Sequence, residues 1–205
     1  MLRGESLAAV RGDRRLFAEL NFDLQAGEML YVGGPNGSGK TTLLRMICGL
    51  VLPVAGRVLW GGEDIQSLDD AYRADLLYCG HHTALKDDLT GLENLRFASM
   101  LGGRPVNEDE ALAALERMGM FEVADLPARV MSQGQKRRVN LARLLLTRAR
   151  LWVLDEPFTA LDAAAVEALR ATLADHLRAG GMLVLTTHQQ ASFDGITVRH
   201  VEMGQ

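Results

Sequence analysis

The chain has 205 residues, which suits one large domain or two small ones and can supply a sizeable core without disulfides or metals. Apolar content is ordinary for a globular protein, and a formal net charge of −4, from 22 basic and 26 acidic residues, excludes a chain-wide electrostatic pull toward nucleic acid or anionic lipid. No stretch reaches the roughly 18 apolar residues that span a bilayer. The start, MLRGESLAAVRGDRRLF, has no sustained apolar segment, so no secretory leader is expected. Cys48 and Cys79 lie in apolar stretches without metal-ligand spacing and read as core thiols of a reducing compartment.

In chain order, MLYVGG (Met29–Gly34) reads as a short buried strand, and Gly39–Leu50 has helical periodicity closed by Gly49 and Pro53. AGRVLWGGEDI reads as a hairpin or edge strand turning at Gly61-Gly62. Asn107–Glu122 is an acidic-started, Ala/Leu-rich helix. LWVLDE (Leu151–Glu156) is a buried strand ending in carboxylates. Ala165–Gly181 reads as an amphipathic helix, on which His176 is expected at the surface, and MLVLTTH (Met182–His188) is another buried strand. Residues from about 65 to 135 are mainly helical and form a lobe of the domain. Short continuous apolar strands alternating with helices specify α/β with a mostly parallel core sheet. Ligands of such sheets bind beyond the C-terminal strand ends, where Gly34–Thr41, Asp155-Glu156 and His188 all fall.

GPNGSGKT, from Gly34 to Thr41, fits the G-x-x-x-x-G-K-[ST] phosphate-loop pattern between a strand and a helix. Gly34, Gly37 and Gly39 permit a tight turn whose N–H groups, with those of Pro35–Thr42 that carry one, face an anion at a helix start. Pro35, Asn36, Ser38 and Thr42 complete the candidate nucleotide contacts. Lys40 is a flexible charge able to reach β- and γ-phosphates, and the Thr41 hydroxyl is a candidate Mg²⁺ ligand. Asp155 suits the Mg²⁺ shell, whereas Glu156 is the candidate general base for an attacking water. His188 can present a ring nitrogen to a γ-phosphate oxygen or to that water.

MSQGQKRRVNLARLLL begins at Met131. Ser132 can cap a helix, with Gln135 completing a capping box. Lys136, Arg137 and Arg138 follow, and cations near a helix start oppose its dipole. They therefore call for an anion or an acidic surface nearby, or else form a solvated basic turn.

MSQGQ resembles the signature motif of ABC transporter nucleotide-binding subunits, and GPNGSGKT, MSQGQ, LWVLDEP, FTALD and TTH follow that family's order over essentially the whole chain. The resemblance implies a P-loop NTPase fold of ABC type, with a parallel core sheet, an N-terminal antiparallel β subdomain and a helical subdomain. It implies ATP and Mg²⁺, and a head-to-tail dimer in which Ser132, Gly134 and Gln135 serve the nucleotide of the second copy, with Asp162 at the interface near Glu156. Arg11 stands where the family has an aromatic that stacks on adenine, and His81-His82 stand where it has a glutamine; either could take the glutamine's place near the metal. Phe17 is expected in the core.

The stretches LLYCGHHTALKDDLTGLENLRF, MSQGQKRRVNLARLLL and LWVLDEPFTALD are similar, more narrowly, to the ATP-binding subunits of the cytochrome c maturation system. That resemblance implies ATP hydrolysis at the cytoplasmic face of a bacterial inner membrane. It also implies integral membrane partners of that system, and haem export or release of a haem-loaded chaperone. Alternative expectations are the ATPase of another small-substrate ABC transporter or a soluble ABC ATPase. No nucleic-acid partner is expected.

Overall fold

The computed structural model describes residues 1–187 and 193–204. The chain divides into two compact units: Met1–Tyr78 with Ala149–Asp155 and His176–Gln205, and Cys79–Arg148 with Glu156–Asp175.

In the first unit, β1 (Leu2–Arg11) and β2 (Arg14–Leu24) form an antiparallel hairpin closed at the Arg11–Arg14 pair. β3 (Met29–Gly33) leads through the glycine-rich loop into α1 (Lys40–Ile47). The expected helix to Leu50 ends earlier, because Gly49 turns left-handed at φ 69°. β4 (Ala55–Trp60) and β5 (Glu63–Asp64) pair antiparallel across Gly61-Gly62. The short helices α2 (Ile65–Leu68) and α3 (Asp70–Ala74) precede β6 (Leu76–Cys79). They belong to this unit rather than to the helical lobe, anchored by buried Tyr72, whose hydroxyl donates to the Ile47 carbonyl at 2.6 Å.

The second unit is helical. It contains α4 (Gly91–Leu101), α5 (Glu108–Arg117) and α6 (Gln133–Leu141). Thr90 with Glu93, Asn107 with Glu110 and Ser132 with Gln135 form capping boxes at their starts. The helix expected over Asn107–Glu122 stops at Arg117, because Gly119 turns at φ 66°, and a separate 3₁₀ turn covers Phe121–Val123. Leu92, Leu95, Leu115, Met120, Val139 and Leu146 share the apolar centre of this unit.

β7 (Leu151–Asp155), α7 (Ala163–Arg178), β8 (Met182–Thr186) and β9 (Val198–Glu202) complete the chain. A five-stranded sheet runs β6-β7-β8-β3-β9, with parallel pairing of β7 to β8, β8 to β3 and β3 to β9. A four-stranded antiparallel sheet runs β2-β1-β4-β5. β7 and β8 are buried at every residue, as their unbroken apolar runs require. Leu30, Val32, Leu44, Ile47, Val153 and Val184 share one core with Leu2, Leu24 and Val58 of the antiparallel sheet. Each such buried side chain contributes about 1.5–3 kcal/mol relative to exposure.

His176 is not a surface residue. Its ring stacks on Trp152 at 3.7 Å and 5°, covers Gly181, and lies 3.2 Å from the Met182 carbonyl through Nε2. Helical periodicity placed it on a polar face, but the glycine at 181 leaves room for the ring to lie against β7. Burial holds its pKa below the usual histidine range. Among the described residues, no helix is long and apolar enough to cross a membrane.

Candidate nucleotide site

Parallel pairing brings the polar strand ends together. Asp155 at the end of β7 is in register with Thr186 at the end of β8, and β8 lies beside β3, which feeds the glycine loop. The Asp155 carboxylate is 3% exposed and is gripped on both oxygens. Thr186 Oγ1 donates to Oδ1 at 2.7 Å, and Thr41 Oγ1 donates to Oδ2 at 2.8 Å. A carboxylate and a hydroxyl at this separation are hard oxygen donors that fit Mg²⁺, which keeps several waters and takes few protein ligands.

The loop itself is tightly built. Gly34 adopts φ 122°, and a Cβ there would lie 2.4 Å from the Met203 carbonyl oxygen. Gly39, at φ 108°, is packed by Leu16 and Phe17, so Phe17 borders the loop as well as the core. Lys40 curls back and donates to the carbonyls of Gly34 at 2.6 Å and Pro35 at 3.1 Å. The Ser38 hydroxyl is buried with no hydrogen-bond partner among the described residues. A buried hydroxyl in that state costs free energy, and a phosphate oxygen in the cradle would satisfy it. Pro35, Asn36, Gly37 and Thr42 lie in the same turn and the first turn of α1. Arg11 is exposed at the hairpin end, paired in register with Arg14. His188 lies outside the described residues.

The second unit carries the remaining candidates. Glu156 adopts φ 50°, a left-handed conformation that costs a non-glycine residue roughly 1–2 kcal/mol. Its carbonyl accepts from Arg137 Nη2 at 2.7 Å and from the Thr159 amide at 3.3 Å. Ser132 Oγ accepts from the Gln135 amide at 3.2 Å, and Gln135 Oε1 accepts from the Ser132 amide at 2.8 Å. A Cβ on Gly134 would lie 2.8 Å from the Ala160 carbonyl oxygen. Asp162 accepts from the Ala165 amide at 2.8 Å at the start of α7. His81 and His82 are exposed, with ring centroids 5.2 Å apart. Together with Thr83, Gln133, Lys136, Arg137, Thr159 and Ala160 they line a cleft of about 480 Å³.

The cations after the signature serine have partners within the chain. Lys136 pairs with Asp87 at 3.0 Å and Arg138 lies 3.8 Å from Asp162. Arg137 is 4% exposed and spends its donors on backbone carbonyls. They are thus neither a solvated basic turn nor dependent on a foreign anion, and they lie in the body of α6 rather than at its first residue. Sequence reading missed Arg137 as a carbonyl clamp and Thr186 as a partner of Asp155. The paired threonines after the apolar run of β8 were the only signal for the second.

The model of the ABC transporter family matches residues 17–159. The chain is 51% identical to the cytochrome c biogenesis ATP-binding export protein CcmA of Nitrosomonas europaea, over 98% of this chain and 94% of that protein. It is 50% identical to the protein of the same name in Dechloromonas aromatica, over the full length of both. A dimeric ATP-binding cassette in a post-hydrolysis state, bound to ADP and Pi, superposes with a TM-score of 0.81 at 25% identity, covering 92% of this chain and 88% of that one. The fold is the ABC-type P-loop ATPase fold, and the chemistry is hydrolysis of ATP to ADP and phosphate. The chain belongs to the ABC transporter family, within its branch of cytochrome c biogenesis ATP-binding export proteins.

Proposed function

We propose that the chain is the ATP-hydrolysing subunit of a membrane complex for c-type cytochrome biogenesis, held at the cytoplasmic face of the inner membrane by integral membrane partners. Its work is export of haem or release of a haem-loaded chaperone. The observation that carries the ATPase part is the Asp155 carboxylate held between Thr41 and Thr186 beside the phosphate loop. Near-full-length identity to the export proteins supports the pathway.

In this reading, Lys40, Ser38 and the amides of Gly34–Thr42 bind the phosphates, and Arg11 stacks on the base. Thr41 and Asp155 would hold Mg²⁺, and the ion when bound offsets charge on the β- and γ-phosphates; His81 or His82 takes the part of the family's glutamine. Glu156 accepts a proton from the attacking water, and His188 steadies the γ-phosphate. Ser132, Gly134 and Gln135 serve the nucleotide of a second, head-to-tail copy, with Asp162 at that interface. Two bound ATP molecules hold the closed pair, and hydrolysis reopens it, because ATP and its products bind the two states with different affinity.

Glu156→Gln tests this. It should bind ATP and favour the dimer, with turnover lowered about 10²- to 10⁴-fold. Near-normal hydrolysis would remove Glu156 as the base. Captured with ATP from its own membranes, the same tagged variant should bring down small integral membrane proteins of cytochrome c biogenesis. An unrelated permease in their place would keep the ATPase and discard the pathway.

A further inference from the structure

We propose that Arg137 is a positioning residue that ties the Gly80–His81 backbone to the backbone of Glu156, so that displacement of the first changes the setting of the second. The proposal rests on the reading of Glu156 as the base. The Arg137 side chain is buried, and its planar guanidinium reaches two separate stretches of chain. Nη1 donates to the carbonyls of Gly80 at 2.9 Å and His81 at 3.2 Å. Nη2 donates to the Glu156 carbonyl at 2.7 Å, and Nε reaches the Pro157 carbonyl at 3.5 Å. A rigid fork of donors spans such a set in a way that a single ammonium cannot.

The Glu156 end is the one that needs holding. A glutamate at φ 50° persists only where its surroundings over-determine it. By gripping its carbonyl, Arg137 restrains the backbone from which its side chain departs. One turn earlier on α6, Gly134 leaves no space for a Cβ against the Ala160 carbonyl, so the same helix meets the 156–160 loop at a second point. At the other end the backbone carbonyls belong to a stretch whose side chains His81 and His82 are exposed and line the cleft. Through the buried guanidinium, displacement of the Gly80–His81 carbonyls reaches the Glu156 carbonyl. Arg137 thereby acts on turnover and leaves nucleotide affinity alone.

The test uses the full-length chain as wild type, Arg137→Lys, Arg137→Met and Glu156→Gln. It combines steady-state ATP hydrolysis with hydrogen–deuterium exchange read by mass spectrometry. Losing one charge-assisted hydrogen bond is worth about a tenfold change. Arg137→Lys should therefore lower kcat about tenfold, with KM for ATP within about twofold. Arg137→Met should fall further, so that lysine is a partial rescue. Exchange should rise together in peptides covering 80–83 and 156–160, and stay at the wild-type level across α5 and the phosphate loop. Should the methionine variant not fold, the lysine variant carries the comparison. Wild-type kcat in Arg137→Lys overturns the proposal, as does faster exchange in only one of the two segments. So does a rise throughout the chain with a shifted KM, the mark of a general structural staple. Near-normal hydrolysis by Glu156→Gln overturns the base assignment separately, because the paired exchange response reads the tie without reference to it.

Discussion

Replacing Thr186 by valine removes one hydroxyl and keeps the shape of the side chain. Thr186 is fully buried and Asp155 is 3% exposed, so water has no easy route to the carboxylate oxygen to which the Thr186 hydroxyl donates at 2.7 Å. A hydrogen bond to a charged group contributes about 1.5–3 kcal/mol. For a chain of this size about 1 kcal/mol moves Tm by 2–4 °C, so a loss near 2 kcal/mol lowers Tm by roughly 4–8 °C. Thr41→Val deletes the companion hydrogen bond at 2.8 Å, but Thr41 is half-buried and solvent can replace its hydroxyl. Its stability cost should stay below about 1 kcal/mol, while its affinity for ATP with Mg²⁺ falls more than that of Thr186→Val. Urea denaturation of both variants without nucleotide, followed by titration with ATP and Mg²⁺, checks the crossed pattern. A stability loss for Thr186→Val no larger than that for Thr41→Val would refute the argument that burial decides which hydroxyl holds the carboxylate.

Lys40→Ala should weaken ATP binding by about tenfold to a hundredfold, the worth of a charge-assisted hydrogen bond to phosphate; unchanged affinity in a direct binding titration would remove the phosphate-loop reading. Gly134→Ala should lower the unfolding midpoint. The helical preference for alanine is worth about 1 kcal/mol, and it is outweighed by the 2.8 Å approach to the Ala160 carbonyl, where overpacking costs about 1–3 kcal/mol. A raised midpoint would show that the loop gives way freely. For His176, burial lowers the folded-state pKa below the ordinary value of 6.5, so the unfolded chain takes up the proton first as pH falls. Its contribution is present in full above that value and is lost between it and the lower folded-state pKa. Urea midpoints from pH 8 down to 5 should fall less steeply for His176→Phe than for wild type, and parallel slopes would count against it.

Much of the fold is legible because local rules and tertiary structure agree. The short unbroken apolar runs of β3, β7 and β8, bounded by glycine or proline, read as buried strands, and the glycine and lysine spacing between β3 and α1 has few purposes other than cradling phosphate. The Ser132–Gln135 capping box was readable because both partners lie within one helical turn. The boundaries at Ile47 and Arg117 were less readable, since a glycine near a helix end can sit either inside or beyond it.

Interactions between residues far apart in sequence were not readable. Periodicity put His176 on a polar face, but the bare backbone of Gly181 and the flat face of Trp152 made room for its ring. Charge counting left Lys136, Arg137 and Arg138 in search of an anion. Folding supplied Asp87 and Asp162 for two of them and backbone carbonyls for the third. Residue types and their spacing thus determined the phosphate loop, the core strands and the capped start of α6. Which oxygen each hydroxyl and guanidinium meets was decided only by the fold. A hydrogen bond depends on positions within a few tenths of an ångström, and those arise from the packing of segments that no local pattern brings together.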